Sequence, residues 1–213
     1  PRVELRDALV KGSFAPEAAV RALPVVLLSC STMQRSWADA LLSYARAGGL
    51  LLIEGVPGWR LDLTGDAPAE GEKTDGDGGP LTLAFAAASG VTFHYEPRGF
   101  VNRWRVTAQH PLTEGLGDGD AWADVPFPEG GNPYPHLAYN VAATDGQVLL
   151  EAEQERCPYD GVHYVRKGET LGVRPLLTIA TLGAGQVVRH YAHVSLAEAM
   201  GQEAFGELLA SLA

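Results

Sequence analysis

Cys30 stands in Leu28-Ser29-Cys30-Ser31-Thr32, between an apolar run (Val25 to Ser29) and a segment with helical spacing (Trp37 to Ala47). At such a junction the helix dipole and the unbonded amides of the first turn favour a thiolate, so Cys30 is a candidate nucleophile for hydrolysis. The plain alternative is a small buried apolar side chain. Glu54 closes a second apolar run, Leu50 to Ile53, where a carboxylate must be paired, hydrogen-bonded or protonated. It is a candidate general acid or base with a raised pKa, or else an acceptor for loop amides. Cys157, in Glu155-Arg156-Cys157-Pro158, reads as a loop residue, and a disulfide from it to Cys30 would remove the nucleophile.

Metal chemistry finds little support in the spacing. Neither cysteine has a CxxC partner for zinc. His190 and His193 are an odd number of residues apart, which directs their side chains to opposite faces of a strand. Asp75-Gly76-Asp77-Gly78 suggests calcium, but the third ligand position and the distal Glu of an EF-hand are missing, so a solvated loop is expected. His110 precedes proline in a turn, where a structural role is expected, and His94, His136 and His163 have no partner spacing. No cofactor signature is found.

These residues need elements to hold them. Two apolar runs separated by one helix-length pattern predict a βαβ unit of a parallel sheet, with Cys30 and Glu54 just beyond the strand ends where open α/β sheets hold ligands. Ser31 and Gln34 have capping-box spacing, Trp37, Leu41 and Tyr44 form a stripe, and Gly48 ends the helix. Ahead of this unit a short strand is expected at Val3 to Leu5 and a short helix at Ala15 to Leu23, with Pro16 near its first position. Residues 62 to 79 are acidic and glycine-rich, the composition of a flexible loop. A helix is predicted from Pro80 to Ala88 and strands at Val91 to Tyr95, Asn102 to Thr107, Leu137 to Ala142, Val148 to Glu151 and His163 to Arg166. Leu176 to Thr181 and Gln186 to Tyr191 read as strands joined by a hairpin, and Ser195 and Glu198 cap a last helix.

The chain has 213 residues, the length of one domain. Its net charge of -10 argues against nucleic acid and anionic membrane as partners. Two cysteines cannot build a disulfide framework, and no apolar run approaches the length of a membrane span. A soluble, cytoplasmic protein is expected.

Three segments carry a resemblance: Leu50-Leu51-Leu52-Ile53 after Gly48-Gly49, the turn His110-Pro111-Leu112-Thr113-Glu114-Gly115-Leu116, and Gly183-Ala184-Gly185-Gln186-Val187-Val188 leading to His193. In order and spacing the chain resembles the class I glutamine amidotransferase-like superfamily, and within it the ThuA-like, trehalose-utilisation group. The resemblance implies a flavodoxin-like three-layer sandwich with a mostly parallel sheet. Its usual first βα unit has no counterpart ahead of Val3 to Leu5, so that unit is expected upstream, from a partner, or not at all. An amidotransferase nucleophile sits on a GxCxG elbow and is served by His-x-Glu; here Cys30 lacks the elbow glycines and His193-Val194-Ser195 lacks the glutamate. Glutamine hydrolysis is not expected.

His193 matches the histidine that closes the last strand of the ThuA-like pattern, while Glu54 stands where that group commonly carries histidine. Three readings follow. The first is a binding or assembly module without a working nucleophile, joined to a second copy or an upstream domain. The second is a ThuA-like carbohydrate-linked enzyme or sugar-binding protein using Glu54 and His193, with Trp59, Trp122 or Tyr134 as faces for sugar rings. The third is a cysteine hydrolase using Cys30.

Overall fold

The computed structural model describes residues 13–29, 32–33, 35–55, 60–61, 80–116, 121–126, 133 and 136–193, together with residues 9 and 207. Several expectations fall outside these residues: the strand at Val3 to Leu5, Cys30, the Ser31/Gln34 and Ser195/Glu198 capping boxes, the acidic loop, Trp59 and Tyr134.

Helix α1 (Pro16–Ala22) starts on proline, whose missing amide would have had no helical partner, and carries Glu17 in its first turn and Arg21 in its last. Strand β1 (Val25–Leu28) alternates, with Val26 and Leu28 buried. A two-residue strand β2 (Thr32–Met33) precedes α2 (Arg35–Arg46), which buries Ala38, Leu41, Leu42, Tyr44 and Ala45. Each buried leucine contributes about 1.5–3 kcal/mol relative to exposure, so packing fixes this helix. Strand β3 (Leu50–Glu54) pairs with β1 in parallel, Val25 against Leu50 through Leu28 against Ile53. The βαβ reading of this stretch therefore describes the structure. Strand β4 (Arg60–Leu61) pairs in parallel with β2.

Helix α3 (Pro80–Ala88) buries Phe85 and Ala86 and leads into β5 (Val91–Val106). The two strands expected within 91–107 are thus one long strand. Its register shifts between His94 and Gly99, and Pro97, which has no amide to give the ladder, sits inside that bulge. His110 to Thr113 forms a 3-10 turn, and β6 (Ala123–Asp124), β7 (Leu137–Ala143), β8 (Gln147–Arg156), β9 (Thr170–Leu182) and β10 (Gly185–His190) follow. His163 to Arg166 is not a strand: Tyr164 makes one isolated bridge to Tyr159.

Among the described residues the main sheet runs β1-β3-β10-β9-β8-β5-β6, with β7 also on β5. Within this sheet only β1–β3 and β3–β10 are parallel pairings, and its other pairings are antiparallel. The fold is α/β with a mixed sheet, which corrects the expectation of a mostly parallel flavodoxin-like sandwich. A turn as short as the one between β9 and β10 can only reverse the chain, and so it sets the sheet antiparallel beyond β10.

The glycine-rich segments that carried the resemblance meet in space. Ala184 donates its amide to the Arg46 carbonyl at 3.0 Å, and Gln186 to the Gly49 carbonyl at 3.2 Å, so the β9–β10 turn seals the end of α2. Gly183 adopts φ +64°, and a Cβ there would stand 2.6 Å from the Arg46 oxygen. The Tyr44 ring lies directly over Gly49, and its hydroxyl donates to the Leu23 carbonyl at 2.5 Å.

The core lies on both sides of this sheet. Val26, Leu28, Leu51, Ile53 and Val187 pack against α2 and α3. Leu52 and Val188 face the other way, with Leu149, Leu177, Ile179 and Ala192.

Candidate functional site

The parallel trio ends at Leu28, Glu54 and His190, and two of these three are buried polar residues. Beyond His190 the chain leaves β3 and joins β7: the Tyr191 carbonyl accepts from the Tyr139 amide at 3.0 Å, and the His193 amide donates to the Leu137 carbonyl at 2.8 Å. Strand alternation then divides the candidates between two faces.

On the face of Leu52 and Val188 stand Glu54 and His190, register partners on adjacent strands. Both are buried. Burial pushes the His190 imidazole down to about 4, so it is neutral at pH 7.

On the opposite face stand Arg189, Tyr191 and His193. His193 stacks on Tyr139 with ring centroids 4.7 Å apart. Its Nε2 lies 3.2 Å from Arg98 Nη1, and that same nitrogen donates to the Tyr164 hydroxyl at 2.7 Å. The Arg98 guanidinium also covers both tyrosine rings, 5.4 Å from each centroid. Nη1 also lies 3.5 Å from Nδ1, and because a guanidinium can only donate, whichever ring nitrogen it bonds is an acceptor. Burial first, and the Arg98 charge second, hold His193 down to about 3. At pH 7 such an imidazole is a poor proton acceptor. The arrangement offers donors and aromatic faces in place of a general base.

Glu54 and His193 therefore project from opposite sides of the sheet, and Glu54 has His190 as its neighbour. The odd spacing of His190 and His193 separates their side chains, as strand geometry requires. Cys157 is a free thiol buried against Phe100 and Leu137, and burial with the nearby Glu155 carboxylate raises its pKa. It forms no bridge to Cys30. Trp122 packs on the guanidinium groups of Arg103 and Arg105, at 4.9 and 4.7 Å. His110 caps its own 3-10 turn, its Nδ1 accepting from the Leu112 amide at 3.2 Å. No group of three metal-binding side chains occurs among the described residues.

Sequence reasoning missed Arg98, Tyr139, Tyr164 and Arg189. A signal existed for Arg189, a charge inside the otherwise buried stretch Val187-Val188-Arg189-His190-Tyr191. Arg98 offered none, because Pro97-Arg98-Gly99 reads as a break between strands.

No family model and no curated protein matches the chain. Among solved structures it is similar to a cytoplasmic protein from Salmonella typhimurium LT2, at TM-score 0.50 and 14% identity over 98% of this chain and 82% of that one. It is likewise similar to a β-galactosidase from Rahnella sp. R3, at TM-score 0.50 and 14% identity over 88% of this chain. The chain spans 22% of that β-galactosidase. A ThuA-like protein from Bacteroides uniformis aligns at TM-score 0.48 and 15% identity over 93% of this chain and 70% of its own, too low a score to add weight. At these identities the likeness is one of fold: an α/β architecture found both as most of a protein and as a fifth of a longer one.

Proposed function

We propose that this chain is a carbohydrate-binding module of amidotransferase-like fold, with its ligand seated at Arg98, Tyr139, Tyr164 and His193. One observation supports the reading. His193 is held neutral beside Arg98 and stacked on Tyr139, so the cluster sets hydroxyl and guanidinium groups beside flat apolar rings. That combination suits a sugar ring, whose faces stack on aromatics and whose hydroxyls accept from fixed donors. The recurrence of the fold as a fifth of a β-galactosidase fits a unit appended to a longer chain.

The enzymatic alternative needs Glu54 and His193 on one side of the sheet; strand alternation, which directs them to different faces, supports the binding reading over it. Isothermal titration with galactose and methyl galactosides tests the proposal. The whole chain is expected to bind, and Arg98→Ala to bind at least about tenfold more weakly, the loss of a charge-assisted hydrogen bond. Absence of binding to any sugar, or glycoside hydrolysis abolished by both Glu54→Gln and His193→Ala, would overturn it.

A further inference from the structure

Arg189 is the largest fully buried side chain described, with no exposed surface. Among the described residues its one hydrogen bond runs from Nη2 to the Gly55 carbonyl at 3.3 Å, and Nε and Nη1 have no acceptor. Its flanks are aromatic: the guanidinium carbon lies 5.0 Å from the Phe93 ring centroid and 5.5 Å from that of Tyr191. The hydroxyls close by are engaged with each other. The Tyr191 and Thr178 hydroxyls are 2.8 Å apart, and Thr178 donates to the Ser89 carbonyl at 3.2 Å. Thr178 is the register partner of Arg189 on β9, and both residues, with Ser89 and Tyr191, are buried. Glu54, at the end of the neighbouring strand β3, is the register partner of His190 and so stands on the other face from Arg189.

A guanidinium does not lose its proton near neutral pH, so burial leaves a full charge that costs several kcal/mol unless something compensates it. Cation–π contacts and one long bond to a carbonyl offset part of that cost. Two guanidinium donors without acceptors, beside the carboxyl end of β3, are what an oxygen-bearing anion completes. We propose that Arg189 holds a small oxyanion, a carboxylate or phosphate group, enclosed between β10, Gly55, Phe93 and Tyr191. This site goes beyond the sugar-binding reading and stands without it, although Tyr139 lies near both.

Thermal unfolding of the whole chain, dialysed into a low-chloride cationic buffer and titrated separately with inorganic phosphate and with acetate, tests the site. One of the two anions is expected to raise Tm saturably, by roughly 3–6 °C at about ten times its Kd. Sodium chloride at equal ionic strength is expected not to. A response to phosphate identifies the tetrahedral anion and a response to acetate the carboxylate. Arg189→Met is expected to lose the response while keeping its sugar titration, which separates this site from the Arg98 cluster. An equal response in Arg189→Met, or a wild-type response that is absent or never saturates, would overturn the proposal. Should Arg189→Met not fold, Arg189→Lys keeps the charge and loses the fork. Its midpoint is expected at least tenfold higher in anion, and an unmoved midpoint would equally overturn the site.

Discussion

Arg98 and His193 illustrate how a neighbour sets what a side chain can do. Alone at a strand end, an imidazole titrates near 6.5 and can move protons at pH 7. Stacked on Tyr139, partly buried and facing a guanidinium, His193 is held down to about 3 and acts as an acceptor. Burial is the larger cause, so removing the Arg98 charge restores only part of the ordinary value. In Arg98→Met the His193 ring proton is expected to titrate at higher pH than in the wild type, yet still below 6.5, in an NMR titration. An unshifted His193 would mean that Arg98 does not act on it. The thiol of Cys157 gives a second prediction at this scale. Burial and Glu155 raise its pKa, so in a Cys30→Ser variant it is expected to react with a thiol reagent only as fast as the protein unfolds. Rapid labelling near neutral pH would contradict that burial.

At the scale of elements, the junction between α2 and the β9–β10 turn is where glycine matters most. A Cβ on Gly49 would collide with the Tyr44 ring, a rigid group whose hydroxyl is already tied to the Leu23 carbonyl. Gly49→Ala must displace that ring and is expected to destabilise by about 1–3 kcal/mol or more. Gly115 is a useful contrast. It has φ +76° with nothing within 4 Å of an added Cβ, so Gly115→Ala carries only the backbone cost, about 1–2 kcal/mol. Urea unfolding of both variants checks the order, and a smaller loss at Gly49 would refute the packing argument. The β1–α2–β3 unit was legible because its apolar runs and helical stripe are local patterns. The close approach of Gly48-Gly49 to Gly183-Ala184-Gly185 was not, because it joins segments more than a hundred residues apart. The bulge at Pro97 was misread for a related reason: a proline that usually ends a strand here bends one whose pairing partners on β7 and β8 lie far along the chain.

For the molecule as a whole, pairing decided what periodicity could not. Apolar runs at 25–29, 50–53 and 186–191 announced buried strands, and the parallel trio falls on them; the antiparallel half rests on partners chosen in three dimensions. Two histidines at and just beyond the end of that trio, the buried His190 and the partly buried His193, make folding sensitive to acid. His190 and His193 have folded pKa values of about 4 and about 3, against 6.5 unfolded. Between those values the unfolded chain binds protons that the folded chain does not, so stability must fall as pH falls. The contribution is whole above 6.5, declines through that range, and is exhausted for His190 near 4 and for His193 near 3. Each group contributes a slope of up to about 1.4 kcal/mol per pH unit within its window. Glu155, held below the ordinary carboxylate range first by its bond to Arg166, adds its own loss toward the acid end. Urea midpoints measured from pH 8 to pH 4 are expected to be level at the top and to drop with increasing slope below 6.5. A His190→Gln variant, which cannot take up a proton, is expected to flatten that slope by the share of one histidine. Equal slopes in the two proteins would mean that His190 is not held neutral in the folded chain.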